Sequence, residues 1–376
     1  MTLTESGNQT VFSGNPFHVV KELWRKYGSA TGFFSYEMGE LLEALPFSVS
    51  DDMGVPDLYF AFPAASPFHA PARFSRRESS EDVSPWPVSR FMTSLSRSQY
   101  VRAVNRVKSY ISRGDVYQVN IAQRFAAPFG GDPRQLFHQL MDVSPAPWAA
   151  YIDGGNFQIL SSSPELFLQI SADGHVLTRP IKGTRPRGRD FREDCQMAEE
   201  LLKSEKDRAE LLMIVDLERN DLGRVCRPGS IRVKELRVLE SFPQVHHTVA
   251  TVEGRLQKGK DAMDCLMACF PGGSITGAPK IRAMEIIREC EPVRRGVYTG
   301  AIGYLAPDGS ASFNIAIRTM VISGRHLYFH VGAGIVADSD PAAEYEETLA
   351  KAGGMLAAMA RNEAVFPRGR EAVVSG

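Results

Sequence analysis

The sequence predicts an α+β fold of antiparallel sheet flanked by helices, and two observations predict it. Short runs rich in β-branched residues far outnumber helical stretches, and several neighbouring runs lie close enough along the chain to be joined as hairpins. A doubly wound parallel sheet fits this pattern less well. Ser98 to Arg113 opens the regular part: Val101, Val104, Val107 and Ile111 recur at helical spacing, and Gly114 ends the helix. Strands are expected over Val116–Phe125, Phe157–Leu160, Glu165–Ile170, Ile231–Leu239, Val245–Val252, Ala301–Leu305, Phe313–Ile322 and Leu327–Val331, each bounded by Gly, Pro or Asp. Helices over Phe191–Val215, Ala262–Phe270, Pro279–Glu289 and Pro341–Arg361 are interleaved with them. The stretch from Pro63 to Ser89 is rich in Pro, Ser and charge and has little periodicity. It reads as a connection, so residues 1–90 form a short N-terminal part with its connection and residues 91–365 the main domain.

The 376 residues are 43% hydrophobic and 23% charged, enough for a large core. A net charge of -1 gives no electrostatic case for nucleic acid or an anionic membrane. No apolar run approaches the roughly 20 residues that span a bilayer, and Met1-Thr-Leu-Thr-Glu-Ser6 lacks signal-peptide character, so a cytoplasmic location is expected. The cysteines, Cys195, Cys226, Cys265, Cys269 and Cys290, are odd in number and scattered, which fits reduced thiols. Cys265 and Cys269 share a helix face, yet nothing completes a zinc pattern around them.

Pro180-Ile-Lys-Gly-Thr-Arg-Pro-Arg-Gly188 sets Lys182 in a turn shaped by Gly and Pro. Arg179, Arg185 and Arg187 lie within five positions, and neighbouring cations lower an ammonium pKa, as burial does. A lysine so placed can attack as a free amine near neutral pH. Taken alone, the segment reads better as a solvated basic turn. Asp207 and Glu210 project from one face of a helix, as do Glu344, Glu347 and Lys351 in a helix that Asp340 caps and Pro341 begins. Facing each other, two such helices suit Mg²⁺, a hard cation that takes few carboxylates and keeps several waters. Either pair alone is more simply a solvated helix surface.

Pro271-Gly-Gly-Ser-Ile-Thr-Gly-Ala-Pro279 leads into a helix and Gly332-Ala-Gly334 follows a strand, so both could offer backbone N–H groups to carboxylates. Arg318 interrupts an apolar strand and calls for a buried carboxylate, from the protein or from a ligand. Asp216-Leu-Glu-Arg-Asn-Asp-Leu-Gly-Arg224 alternates acid and base and reads as an ion-pair network around a turn. His247 lies in a strand-like run, where a satisfied core histidine is the commoner outcome.

Together these segments closely resemble the chorismate-utilising enzymes, and within them the aminodeoxychorismate synthases, sisters of the anthranilate synthases. Six motifs in one order carry the resemblance: Ser161-Ser-Ser-Pro-Glu165, Pro180 to Gly188, Asp207-Arg-Ala-Glu210, Asp216 to Val225, Pro271 to Lys280 and Gly332-Ala-Gly-Ile-Val-Ala-Asp-Ser339. It runs from about Ser98 to Arg361 and, more faintly, through Gly32-Phe-Phe-Ser-Tyr-Glu37 and Asp57-Leu-Tyr-Phe60. Aminodeoxychorismate synthases carry Pro-Ile-Lys-Gly-Thr, whereas anthranilate synthases have alanine at that lysine. Isochorismate and salicylate synthases place a water-activating lysine where this chain has Gln118, and glutamine cannot act as that base. Tyr298, in Arg294-Arg-Gly-Val-Tyr-Thr-Gly300, sits in a form also similar to anthranilate synthases.

The resemblance implies antiparallel sheets packed as a sandwich and a chorismate-binding domain over residues 91–365. It implies that chorismate and ammonia give 4-amino-4-deoxychorismate, toward 4-aminobenzoate and folate. It further implies Mg²⁺ on Glu210 and Glu347, reached directly or through water by Asp207 and Glu344. Arg318, the Gly332 to Gly334 backbone and Lys351 would take the substrate carboxylates, with Gly183, Thr184, Thr276 and Tyr298 lining the rest. Glu165 would be the general acid at the C4 hydroxyl, Lys182 the nucleophile at C2, and His247 an orienting residue. No cysteine here has the glycine neighbour of a glutamine amidotransferase nucleophile, so ammonia is expected from a separate glutamine amidotransferase subunit in a heterodimer. The N-terminal part looks shorter than the family's, where it shapes a tryptophan pocket, so tryptophan control is not expected. Two other readings stay open: anthranilate synthase component I, and a degenerate binding paralogue, which should have lost Lys182 or one of the acids.

Overall fold

Every strand pairing among the described residues is antiparallel, which gives the α+β class the sequence predicts. The structure, a computed structural model, describes residues 2–5, 8–43, 45, 49, 51–63, 90–242 and 245–361. The connection expected over Pro63 to Ser89 lies, from residue 64 on, outside the described residues.

A nine-stranded sheet runs in the order Ile181–Pro186, Val245–Arg255, His175–Arg179, Leu166–Ile170, Ala311–Ile315, Ala301–Leu305, Ala30–Phe34, Leu58–Ala61, with Arg232–Ser241 also pairing along Val245–Arg255. A seven-stranded sheet runs Gly277–Ala278, Gln118–Pro128, His326–Ile335, Thr319–Ser323, Phe157–Ser163, Trp148–Asp153, with Met92–Thr93 on Gln118–Pro128. Apolar side chains of both sheets meet in one layer: Phe33 and Ile302 from the first, Phe157, Ile159 and Val321 from the second. That contact makes the sandwich.

Helices cover the outer faces because each buries an apolar stripe there. Pro16–Tyr27, Glu205–Gly223 and Ala262–Cys269 pack on the nine-stranded sheet through Phe17, Leu211 and Leu266. Pro133–Val143 and Pro341–Ala360 cover the other sheet through Leu136, Leu140, Met355 and Met359. Arg97–Ser112 and Lys280–Cys290 close its far end through Val104, Val107, Ile286 and Ile287. As expected, Asp340 caps its helix by accepting the N–H groups of Ala342 at 3.0 Å and Ala343 at 2.8 Å.

Three elements depart from the sequence reading. Phe313–Ile322 is two strands in two different sheets, because Arg318 takes a left-handed φ of 49° and turns the chain from one sheet into the other. The long helix 191–215 is two helices: Ser204 is extended, ends Phe191–Lys203, and caps Glu205–Gly223 by accepting the Asp207 N–H at 3.2 Å. The Lys182 turn is a strand, Ile181–Pro186, carrying a bulge.

Candidate active site

The bulge places the lysine. Lys182 pairs with Thr248 and Thr184 with His247, and the register shifts between them at Gly183, whose φ is 77°. A side chain at 183 would meet Leu201 Cδ1 at 2.8 Å and Asp207 Cγ at 2.9 Å, so glycine answers both the backbone angle and the space. Lys182 Nζ donates to the Ser274 carbonyl at 3.1 Å. Burial pushes its pKa down; Glu210 and Glu165 push the other way, and Lys351 adds to the lowering.

The three flanking arginines have no part in that shift, contrary to the sequence expectation. Arg179 pairs with Glu240, Arg185 with Asp207 at 3.2 Å, and Arg187 with Asp194 at 2.7 Å. Only Arg185 lies on this strand, beyond the Gly183 bulge; Arg179 ends the strand His175–Arg179, and Arg187 follows Pro186.

Glu165 precedes the strand Leu166–Ile170 and is buried. Burial raises its pKa, against a hydrogen bond from Ser274 and the Lys182 charge. A half-buried lysine lowered and a buried carboxyl raised share Ser274, one through its carbonyl and one through its side chain. The pair can pass through the neutral forms that nucleophile and general acid require. Ser274 carried no special mark in the sequence beyond its place in the Gly-rich run.

Thr184 Oγ1 and His247 Nδ1 are 2.8 Å apart. His247 Nε2 is buried with no hydrogen-bond partner among the described residues. Burial, with Arg318 nearby, takes its pKa to about 3, so the ring is neutral. His247 and Arg318 line one small cavity with Pro164 and Phe242. The Arg318 guanidinium has no ion pair or side-chain hydrogen bond among the described residues, and burial lowers its pKa. Of the two partners the sequence allowed, no protein carboxylate pairs with it among the described residues.

Gly332 and Gly334 lie opposite, where the strand His326–Ile335 runs beside Gln118–Pro128. A side chain at Gly334 would collide with Gln118 Nε2 and stand 3.7 Å from Lys182 Nζ; one at Gly332 would come within 2.9 Å of Tyr298 Oη. Tyr298 stacks on His330, ring centroids 5.2 Å apart. Thr276 is pinned between strands: its hydroxyl donates to the Gly272 carbonyl at 2.9 Å and its carbonyl accepts the Asn120 N–H at 2.8 Å. Lys351 Nζ donates to the Gly332 carbonyl at 3.1 Å and pairs with Glu347 at 2.7 Å.

The carboxylates singled out for a metal come from two helices, as expected. Lys206 stands between them, 4.0 Å from Glu210 and 3.8 Å from Glu344. Burial raises the Glu210 and Glu344 pKa values, and in each case Glu347 adds to the rise. Burial also works to raise Glu347, but Lys351 and Lys206 hold it below the usual range. Asp207 is engaged by Arg185. Among the described residues no three His, Cys, Asp or Glu side chains are grouped closely enough to hold an ion unaided. An all-carboxylate set held apart by one lysine suits a hard cation that completes its shell with water and substrate oxygens.

Asp216 to Arg224 is not a network around a turn. It continues the helix Glu205–Gly223, and only Asp216–Arg219 pairs locally, at 2.9 Å. Glu218 and Asp221 are buried, the first accepting the Thr178 hydroxyl at 3.1 Å, the second paired with Lys280 at 2.5 Å. All five cysteines are free, as expected.

Residues 7–357 match the chorismate binding enzyme family. The chain belongs to that family. This chorismate-binding enzyme is 43% identical to aminodeoxychorismate synthase component 1 of Salmonella typhimurium, over 93% of this chain and 80% of the relative. It is 41% identical to anthranilate synthase component 1 of Thermus thermophilus, over 90% and 79%. The crystal structure of anthranilate synthase component I from Streptococcus pneumoniae superposes with a TM-score of 0.80 at 32% identity, covering 94% of this chain and 89% of that one. The family match reaches further toward the N-terminus than the motifs do. No helix among the described residues is long and apolar enough to cross a membrane.

Proposed function

We propose that this chorismate-binding enzyme aminates chorismate at C4 to give 4-amino-4-deoxychorismate, toward 4-aminobenzoate and folate. The observation that carries the reading is the half-buried Lys182 beside Glu165 and Ser274, in the Pro-Ile-Lys-Gly-Thr context; the similarity to aminodeoxychorismate synthase component 1 supports it.

Arg318, the Gly332 to Gly334 backbone and Lys351 take the substrate carboxylates, while Thr184, Thr276 and Tyr298 line the ring and neutral His247 orients it. Glu210 and Glu347, with Asp207 and Glu344 directly or through water, would hold Mg²⁺, which would supply positive charge against the ring carboxylate. Glu165 gives its proton to the C4 hydroxyl, which leaves as water. The neutral Lys182 amine forms a bond to C2 as the C4–O bond breaks and both ring double bonds shift. Ammonia then bonds to C4, both double bonds shift back, and the C2–N bond to Lys182 breaks. The new ammonium at C4 returns one proton to Glu165. Ammonia comes from a separate glutamine amidotransferase subunit, in keeping with the relatives' designation as component 1.

Anthranilate synthase stays as a second reading because a relative of that name is 41% identical. Purified chain with chorismate, Mg²⁺ and ammonium, followed by mass-resolved chromatography, separates the two. 4-Aminobenzoate formed only when aminodeoxychorismate lyase is added is the expected result. Anthranilate with pyruvate, formed without the lyase, would sink the proposal.

A further inference from the structure

The strand Gln118–Pro128 turns Asn120 toward Gly332 with unusual fixity. The Asn120 N–H donates to the Thr276 carbonyl at 2.8 Å, and its own carbonyl accepts Arg295 Nη2 at 2.8 Å. Arg295 is buried and held by both Glu291 oxygens, Nε at 2.8 Å and Nη2 at 2.6 Å. Glu291 in turn accepts the Ala122 N–H at 2.8 Å. The Asn120 backbone is therefore locked on both sides.

That carboxamide is only 8% exposed, and its Oδ1 has no hydrogen-bond partner among the described residues. It stands where a side chain on Gly332 would lie 2.6 Å from Oδ1 and 2.9 Å from Tyr298 Oη. A buried, unpaired carbonyl oxygen carries its full desolvation cost unless a donor reaches it. Chorismate offers this wall few donors: its two carboxylates and its ether oxygen only accept, and its one hydroxyl is the group Glu165 protonates. Ammonia brings three N–H bonds and a lone pair.

We propose that Asn120 Oδ1 accepts an N–H of the incoming ammonia and so turns its lone pair toward the ring. This rests on the amination reading above. Accepting one N–H leaves the nitrogen lone pair free to form the bond to C4 while the C2–N bond to Lys182 breaks; no proton moves to Asn120. On this assignment the removal of Asn120 is read chiefly in the ammonium KM.

The test is steady-state amination with ammonium varied at saturating chorismate, then the reverse, for wild type, Asn120→Leu and Asn120→Asp. Asn120→Leu is expected to raise the ammonium KM about tenfold, the worth of one hydrogen bond, with the chorismate KM within about twofold of wild type. Asn120→Asp keeps an oxygen in the same place and should bring the ammonium KM back to within about threefold. An unchanged ammonium KM in Asn120→Leu, a rise confined to the chorismate KM, or equal impairment of the Leu and Asp variants would overturn the assignment. Should Asn120→Leu fail to fold, Asn120→Ala replaces it under the same criteria. Wild-type enzyme that makes no aminated product fails the amination reading itself, a result told apart from a wild type that aminates normally beside unaffected variants.

Discussion

Lys182 and Glu165 are electrostatically coupled, because each shifts the other's titration. Replacing Lys182 by alanine removes the amine proposed to add to C2, and turnover with ammonium should fall by at least about 10²-fold while chorismate still binds, measurable by calorimetry. Productive enzyme needs Lys182 neutral and Glu165 protonated. A lowered lysine gains its neutral form as pH rises through that lowered pKa, and a raised carboxyl loses its proton as pH rises through its raised one. The kcat/KM profile is therefore expected to be bell-shaped, the acid limb from Lys182 and the alkaline limb from Glu165. Glu165→Gln should lower kcat about 10²- to 10⁴-fold and remove the alkaline limb; a limb that survives assigns the acid elsewhere.

At the level of elements, the strand Ile181–Pro186 shows what a local pattern can and cannot reveal. The lowered pKa of Lys182 was legible from its neighbours in sequence, yet the cause was not, since burial by distant segments does what the adjacent arginines were expected to do. The turn reading failed because Gly183 and two prolines mark turns and bulges alike, and only pairing with Val245–Arg255 decides. Phe313–Ile322 looked continuous because both halves are apolar at the same period, though they serve different sheets. Ser204 hid a helix break because serine sits in helices and at caps. Asn120 and Ser274 went unmarked because an unpaired oxygen or a shared carbonyl exists only after the sheets close. Gly183→Ala should cost about 1–2 kcal/mol in stability through its left-handed backbone and, by shifting Lys182, roughly a hundredfold in kcat. Urea unfolding and kcat on the same preparation check both; wild-type turnover would mean the bulge does not position the amine.

Across the whole molecule, the segment before the connection is built into the catalytic sheet. Ala30–Phe34 pairs with Ala301–Leu305, and buried Phe34 stacks on Phe17 at 4.9 Å and packs against Phe60 at 4.7 Å. Phe34→Ala is expected to cost about 3–5 kcal/mol and to lower one shared melting transition; two separated transitions would show that the parts unfold independently. Glu37 adds a pH dependence, accepting the Arg295 N–H at 2.8 Å and the Gly296 N–H at 3.0 Å. Burial raises its pKa from 4.5 to about 7, against the Arg294 charge. Its contribution is complete below the unfolded value and is lost as pH climbs through the folded one, a change of up to about 3 kcal/mol between pH 4.5 and 7. Glu37→Gln should flatten that decline in urea titrations; an unaltered slope would place the titrating group elsewhere.

The order of strands also bears on how the chain comes off the ribosome. Ala311–Ile315 lies between Leu166–Ile170 and Ala301–Leu305, and His326–Ile335 between Gln118–Pro128 and Thr319–Ser323. Each sheet thus waits, with a gap in its middle, for strands made late in translation. A nascent chain halted before residue 332 holds Lys182 and Glu165 but no Gly332 to Gly334 wall opposite them, so prematurely terminated products are expected to be inert.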